Sequence, residues 1–128
     1  MGIYGFILVF IGGGLGSAGR HGVNLLASRL VGGAYPLGTL AINVLGAFAM
    51  GVVVEFFALK ASLPQSAKLF LTTGILGGFT TFSTYALEIG MLYERGDWLA
   101  SALYALGSLV LGVGGLFAGL ALVRMVGH

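Results

Sequence analysis

Gly74-Ile-Leu-Gly-Gly-Phe-Thr-Thr-Phe-Ser-Thr-Tyr85 is the stretch of sequence that decides the fold of this chain. It lies inside an apolar run, Ala67–Leu92, that is otherwise long enough to cross a membrane. In hydrocarbon, irregular backbone survives only where it is buried in protein or lines a water-filled path. The glycines and hydroxyl residues therefore predict a membrane helix that is broken near residues 77–81. Broken membrane helices supply backbone groups to ion sites, so we expect the function to lie here.

The composition excludes an ordinary soluble protein. The chain has 128 residues, of which 58% are hydrophobic and 8% are charged, and its mean hydropathy is +1.04. A soluble domain usually has about 25% charged residues. Because a membrane span needs about 20 mainly apolar residues, the chain has room for four spans with short connectors and for no extramembrane domain.

Four apolar runs follow one another along the chain: Ile3–Leu30, Leu37–Leu59, Ala67–Leu92 and Trp98–Val126. The connectors between them contain both prolines and four of the ten charged residues. We therefore predict an all-α membrane protein, with residues 1–128 forming a single domain of four transmembrane helices of which the third is broken.

The distribution of basic residues leaves the topology open. With four spans both termini lie on one side, and the Lys and Arg residues expected there are Lys60, Lys68 and Arg124. The opposite side has Arg29 and Arg95, with Arg20 if it extends that way. Orientation normally follows an excess of Lys and Arg on the cytoplasmic side. Here a weak bias orients every copy alike, or the chain inserts both ways and pairs as an antiparallel dual-topology homodimer.

The residue types that most enzymes need are missing from the sequence. The chain has no cysteine, and its two histidines, His21 and His128, are far apart with no acidic residue spaced to form a metal cluster. Disulfides and thiolate chemistry are thus excluded, and no hydrolytic or redox constellation is present. We predict that the protein is not an enzyme, and its net charge of +2 is too small for nucleic-acid binding.

Three polar side chains within the apolar runs are candidates for function, since such groups usually face the interior of a helix bundle. Asn43 either hydrogen-bonds to another helix or donates an N–H to a passing anion. Arg20 either anchors the structure, through Glu88 or helix C-terminal carbonyls, or supplies positive potential where an anion enters. For Glu88 a salt-bridge or capping role is favoured over a proton relay.

Aromatic and hydroxyl residues line the second half of the third run and part of the fourth. Phe82 and Tyr85 are three residues apart and share one helix face. Their ring edges are electropositive, so edge-on rings beside hydroxyl and amide donors would tolerate a small anion. Tyr104 and Ser108, four residues apart, add a polar stripe to the fourth run.

Three motifs now carry a resemblance to a known family. They are Gly16-Ser-Ala-Gly-Arg20, Gly38-Thr39-Leu-Ala-Ile-Asn43-Val-Leu-Gly46 and Gly74-Ile-Leu-Gly77-Gly78-Phe-Thr80-Thr81-Phe82-Ser83-Thr84. In these motifs, in length and in charge balance, the chain resembles the small dual-topology fluoride channels of the Fluc/CrcB type.

The resemblance implies an antiparallel homodimer in the cytoplasmic (inner) membrane that exports fluoride passively through two pores and so lowers fluoride toxicity. It implies a structural, non-transported Na⁺ bound by the backbone carbonyls of Gly77 and Thr80 from both subunits. The pore residues that it implies are Asn43, Phe82, Ser108 and Thr39, with Tyr85 where the family usually has a second phenylalanine, while Arg20 and Glu88 act as anchor or vestibule residues. His21 follows Arg20 where an aromatic residue is more usual, and its role is not assigned.

Two rival functions remain to be compared with the fluoride channel. A small multidrug-resistance-type dimeric exporter needs a carboxylate deep in its first helix, and the first run has no Asp or Glu. A non-transporting assembly factor would not explain the broken third helix. We therefore expect fluoride, membrane lipid and a second copy of the chain as partners, and no nucleic acid.

Overall fold

The computed structural model describes residues 2–60 and 62–127. Within these residues the chain is helical and has no β-strand. The elements in order are α1 (Gly2–Val31), α2 (Leu37–Leu59), α3 (Gln65–Leu69), a π-helical segment (Phe70–Leu76), α4 (Gly77–Phe79), α5 (Ser83–Glu94) and α6 (Trp98–Val126).

Among the described residues, three helices, α1, α2 and α6, are long enough and apolar enough to cross a membrane. Helix α2 has 23 residues and is therefore about 34 Å long, which matches the hydrocarbon core of a bilayer. The turns around α2 and α6 follow from local chemistry: Gly32 and Gly96 adopt positive φ angles of 76° and 86°, which glycine tolerates without steric strain. Asp97 caps α6, since its side chain accepts a hydrogen bond from the Ala100 amide.

The third apolar run is divided, but its interruption lies later than the predicted 77–81. Helical geometry continues through Gly77 and Gly78 and ends at Phe79, and Thr80 is extended with φ −84° and ψ 158°. Gly78 serves close packing, because a Cβ there would overlap the carbonyl oxygen of Gly13 in α1. The interruption therefore falls at residues 80–82, and α5 begins at Ser83.

The π-helical segment Phe70–Leu76 was not expected from the sequence. Glycines allow this segment to pack directly against α1. A Cβ on Gly12 of α1 would lie 2.9 Å from the Phe70 carbonyl oxygen and 3.0 Å from Gly74 Cα. One turn further, a Cβ on Gly16 would overlap the Ile75 carbonyl oxygen. Small residues permit this backbone-to-backbone approach of membrane helices.

Helices α2 and α6 form the other extensive contact of the fold. A Cβ on Gly51 would overlap the Leu116 carbonyl oxygen, and one on Gly119 would overlap that of Phe48. Gly12 and Gly16, four residues apart on α1, and Gly115 and Gly119, four residues apart on α6, all lie in such contacts.

Most of the apolar surface of this chain faces outward. Ile42 is the one large side chain that is fully buried among the described residues, whereas Phe10 is 84% exposed and Phe6 is 79% exposed. On a soluble protein, so many exposed large apolar side chains would mark an association surface. The distribution fits a protein whose exterior is covered by lipid or by another membrane subunit.

Candidate functional site

The interruption of the third run is fixed by one side chain of α2. Asn43 Nδ2 donates to the Thr81 carbonyl oxygen at 2.9 Å, and Asn43 Oδ1 accepts from the Thr81 amide at 2.9 Å. Gly46, three residues later on the same helix, permits this approach, because a Cβ there would overlap the methyl group of Thr80. The peptide groups of Thr81 are thus satisfied although the helix is broken, as a low-dielectric setting requires.

Two carbonyls beside the interruption lose their usual helical partners. The Thr81 amide would bond to the Gly77 oxygen in a continuous α-helix but bonds to Asn43 instead. The Thr84 amide would bond to the Thr80 oxygen but bonds to the Thr81 hydroxyl at 3.2 Å. The carbonyl oxygens of Gly77 and Thr80 are therefore left to other partners, and Gly77 is exposed on the surface of the chain.

Arg20 binds the carbonyl oxygen of Gly78, which lies in the sequence between Gly77 and Thr80. Its Nε donates to the Gly78 oxygen at 3.2 Å, and the Ser17 hydroxyl donates to the same oxygen at 3.5 Å. Of the partners predicted for Arg20, the structure shows the helix C-terminal carbonyl and not Glu88. Arg20 thus ties α1 to the end of α4.

A cavity of about 430 Å³ opens beside the interruption, between α2, α5 and α6. Four of the predicted pore residues line it: Asn43, Phe82, Tyr85 and Ser108. The remaining wall is largely apolar and comes from α2 and α6, with Ala47, Met50, Leu109, Val113 and Leu116 among its residues. These apolar residues carry no signal in the sequence that separates them from lipid-facing neighbours.

Aromatic rings form one side of this cavity. The Phe82 and Tyr85 ring centroids are 5.7 Å apart with an interplanar angle of 54°, and those of Tyr85 and Tyr104 are 5.3 Å apart at 56°. The Tyr85 hydroxyl donates to the Ala105 carbonyl oxygen of α6 at 2.5 Å. This bond supplies the partner that a tyrosine at this position requires. Phe82 is 78% exposed and has little cover from its own chain.

Two polar groups in the cavity have unused donors. Ser108 is buried, and within the described residues its Oγ has no hydrogen-bond partner. Asn43 uses one N–H of its amide for Thr81, and its amide nitrogen has two. A buried hydroxyl without a partner is unusual in proteins and calls for a ligand, a water molecule or an ion.

Thr39 lies outside this cavity, unlike the other predicted pore residues. It is 2% exposed, one turn before Asn43 on α2, and lines a second cavity of about 340 Å³ together with Glu88. Glu88 accepts a hydrogen bond from the Tyr104 hydroxyl at 3.0 Å, so its partner is neither Arg20 nor a helix end. Tyr104 was identified in the sequence only through its spacing from Ser108.

His21 is exposed on α1, and nothing in the structure explains its place after Arg20. The described residues also include no group of three or more His, Cys, Asp or Glu side chains that could bind a metal ion.

Comparison with known proteins gives a consistent result along most of the chain. A family profile described as "CrcB-like protein, Camphor Resistance (CrcB)" matches residues 7–120. A protein of Methylobacterium nodulans named "Fluoride-specific ion channel FluC" is 55% identical over 121 residues, which cover 94% of this chain and 97% of the relative. A Granulibacter bethesdensis protein of the same name is 56% identical over 119 residues, covering 93% of this chain and 94% of the relative.

Proposed function

The chain belongs to the CrcB-like family, and from this membership we infer that it is a fluoride-specific ion channel in a membrane. The observation that carries the inference is the identity of about half of all positions with relatives named fluoride-specific channels, over more than nine-tenths of both chains. The multidrug-exporter alternative is not favoured. Because the relatives are ion channels by name, we infer a transporter and not an enzyme.

The first cavity is our proposed site of fluoride passage. Ser108 Oγ and the second amide proton of Asn43 are donors beside an aromatic wall formed by Phe82 and Tyr85. A small anion that sheds water needs such donors, since an unpaired charge in an apolar setting is strongly disfavoured. The apolar residues of the opposite wall offer an anion no compensation for its hydration shell, so passage depends on these donors.

Thr39 and Glu88 extend the proposed path toward the connector between α1 and α2. Thr39 is four residues before Asn43, on the same face of α2, and it lies in the second cavity. Its hydroxyl is one helical turn from the Asn43 amide, which is about 6 Å along the axis. Glu88 is a vestibule residue in this proposal, with its charge held by the Tyr104 hydroxyl.

We propose passive transport driven by membrane voltage. At a membrane potential of 100 mV, negative inside, moving one elementary charge across the membrane corresponds to about 2.3 kcal/mol. Since about 1.4 kcal/mol is a tenfold ratio, the equilibrium fluoride concentration inside would be roughly 40-fold below that outside. In the cytoplasmic (inner) membrane, where this potential exists, such a channel would lower fluoride toxicity without a coupled reaction.

The functional unit in this proposal is an antiparallel homodimer of four-span subunits within the lipid bilayer. The residues on either side of the interruption would cross the membrane together as the third span. Phe82 and Gly77 are exposed in the single chain, as is expected of residues that meet a second copy. The near balance of basic residues between the two sides is compatible with insertion in both orientations.

A structural Na⁺ fits the backbone at the interruption. The carbonyl oxygens of Gly77 and Thr80 are released from helical hydrogen bonds, and hard cations prefer oxygen ligands. We propose that these oxygens, from both subunits, would hold the ion, while Asn43 and Arg20 keep the neighbouring peptide groups in place. A bound cation would neutralise carbonyl dipoles that otherwise face one another across the dimer.

The experiment that tests the proposed function is ion release from proteoliposomes. Vesicles containing the purified protein are loaded with potassium fluoride, valinomycin is added, and external fluoride is followed with an electrode. We expect rapid fluoride release from these vesicles and background release of chloride from a matched chloride-loaded set. Release of neither anion, or of both at similar rates, would contradict a fluoride-specific channel.

A further inference from the structure

The second cavity has one positively charged residue at its edge. Its walls come from the end of α1, the connector 32–36, the start of α2 and helix α5. Among the described residues that line it, Arg95 is the one with a cationic side chain and Glu88 is the one with an anionic side chain. Arg95, in the connector after α5, thus places a positive charge, which attracts anions, beside a cavity whose other charged side chain is the carboxylate of Glu88.

The position of Arg95 is determined by three contacts. Its Nη1 donates to the Ala34 carbonyl oxygen at 3.0 Å, its Nη2 donates to Asp97 Oδ2 at 3.5 Å, and its guanidinium carbon lies 5.4 Å from the centre of the Tyr35 ring. The Tyr35 hydroxyl donates to the same oxygen of Asp97 at 3.3 Å. These contacts link the two connectors at one end of the helix bundle and keep the guanidinium beside the cavity.

The neighbouring carboxylate offsets this charge only in part, since Arg95 lines the second cavity and Asp97 does not. The side chains of Arg95 and Asp97 are 49% and 33% exposed, and their closest N–O distance is 3.5 Å. Ion pairs that are exposed to this degree interact weakly in water. Three of the five guanidinium N–H groups also remain available after the two hydrogen bonds to Ala34 and Asp97.

We propose that Arg95 concentrates small anions at the mouth of the second cavity, and so sets the rate at which fluoride enters the path at this end. The inference rests on the proposed fluoride channel and adds to it a residue outside the predicted pore. A fixed charge beside a cleft raises the local concentration of ions of opposite sign. Arg95 also offsets the repulsion that an anion would meet from Glu88 in the same cavity.

Other arginines of the chain are placed differently. Arg20, the cation that the sequence suggested for an anion entrance, is bound to the Gly78 carbonyl oxygen and does not line either cavity. Arg29 lies in the last turn of α1, exposed, and is also absent from both cavity walls. Arg29 is therefore a matched control, since it is an exposed cation on a helix that borders the second cavity.

The test is the dependence of fluoride flux on ionic strength in four proteins: wild type, Arg95→Gln, Arg95→Lys and Arg29→Gln. Flux is measured in proteoliposomes at subsaturating fluoride, and ionic strength is adjusted with potassium isethionate, whose anion is much larger than fluoride. A unit charge about 6 Å from a monovalent anion in water changes the local anion concentration about threefold. Raising ionic strength from about 10 mM to about 1 M shortens the screening length from about 30 Å to about 3 Å and should remove this effect.

We expect Arg95→Gln to lower flux about threefold at low ionic strength and to match wild type at high ionic strength. Arg95→Lys and Arg29→Gln should follow wild type throughout. Asp97→Asn, which keeps a side chain able to cap α6, should raise flux at low ionic strength because it removes a negative charge beside Arg95; it serves if Arg95→Gln does not fold.

Two results would overturn the proposal while wild type still conducts fluoride: equal flux of Arg95→Gln and wild type at low ionic strength, or a deficit that persists unchanged at high ionic strength. The second result would mean that Arg95 acts only as a structural link between the connectors. If wild type itself did not release fluoride, both the channel and the role of Arg95 would be rejected, so the two failures are distinguishable.

Discussion

Asn43 binds both peptide groups of Thr81 through its side-chain amide, with each hydrogen bond 2.9 Å long. The sequence left two roles open for this residue, a hydrogen bond between helices and donation to a passing anion. The geometry accommodates both, because the amide nitrogen has a second proton and the side chain lines the first cavity. The backbone interruption and the proposed anion path therefore depend on the same amide group.

Replacing Asn43 with alanine should reduce both stability and transport. The substitution leaves the part-buried N–H and C=O of Thr81 without their Asn43 partner, which should destabilise the protein by about 1–3 kcal/mol. It also removes a donor to the anion, and hydrogen bonds to charged groups contribute about 1.5–3 kcal/mol, so flux should fall by about tenfold or more. Thermal unfolding in detergent and fluoride release per folded protein measure the two effects.

Asn43→Asp separates these effects. A carboxylate still accepts from the Thr81 amide, but it has no proton to donate to the Thr81 carbonyl oxygen or to an anion, and it repels an anion. Relative to wild type, the fluoride flux should therefore fall more strongly than the free energy of unfolding. If both variants transported fluoride at the wild-type rate, Asn43 would have no place in the pore.

Phe82→Ala should lower fluoride flux about fivefold, because the aromatic wall of the first cavity loses an interaction of about 1 kcal/mol. Phe10→Ala is the matched control: Phe10 is exposed to a similar degree, 84% against 78% for Phe82, and lines neither cavity. Flux per folded protein is the measurement. An equal decrease in both variants would indicate a general effect of removing an exposed ring.

Much of the helical framework was predictable because it depends on continuous apolar runs and strong local end signals. The runs 37–59 and 98–126 coincide with α2 and α6, bounded by Pro36 before α2 and by Gly96 and Asp97 before α6. The exact interruption of the third run was not predictable, since it is set by a contact between Asn43 and Thr81, 38 positions apart. The π-helical segment likewise depends on packing of Gly74 against α1.

Tyr85→Phe should leave fluoride flux within about twofold of wild type and lower stability by about 0.5–1.5 kcal/mol, the usual contribution of one hydrogen bond. The reason is that the Tyr85 hydroxyl donates to the Ala105 carbonyl oxygen, while the ring keeps its contacts with Phe82 and Tyr104. Flux and unfolding are measured on the same preparations. A large loss of flux, with stability unchanged, would place the hydroxyl in the anion path.

The candidate site was predicted in part for the same physical reasons. Polar residues are costly inside a membrane, so Asn43, Ser108 and Glu88 stand out in an apolar sequence. The Tyr104 hydroxyl that binds Glu88 does not stand out in this way, and neither does the division of the lining between two cavities, because both arise from tertiary packing.

Gly16→Ala should destabilise the protein by about 1–3 kcal/mol, as overpacking usually does. The new Cβ would overlap the Ile75 carbonyl oxygen and lie 2.8 Å from the Phe79 nitrogen. Gly14→Ala, two residues earlier on α1, has no atom within 4 Å of the new Cβ and should be neutral or stabilising by about 0.5–1 kcal/mol. Unfolding in detergent compares the two, and equal stability would contradict the close contact of α1 with the third run.

Removal of sodium should inactivate the channel or loosen the proposed dimer, because the proposed ion would neutralise the free carbonyl oxygens of Gly77 and Thr80. The protein is reconstituted with choline in place of Na⁺, and fluoride flux and the oligomeric state are measured before and after sodium is restored. Flux and assembly that are indifferent to sodium would reject the metal site and leave the family assignment intact.

The reversal potential of the purified protein in a planar bilayer tests the central claim, passive and fluoride-selective conduction, most directly. With a tenfold fluoride gradient the current should reverse at about 59 mV, the value for one charge per ion, and a superimposed chloride gradient should not move it. Reversal near zero under the fluoride gradient, or a potential that follows chloride, would contradict the account.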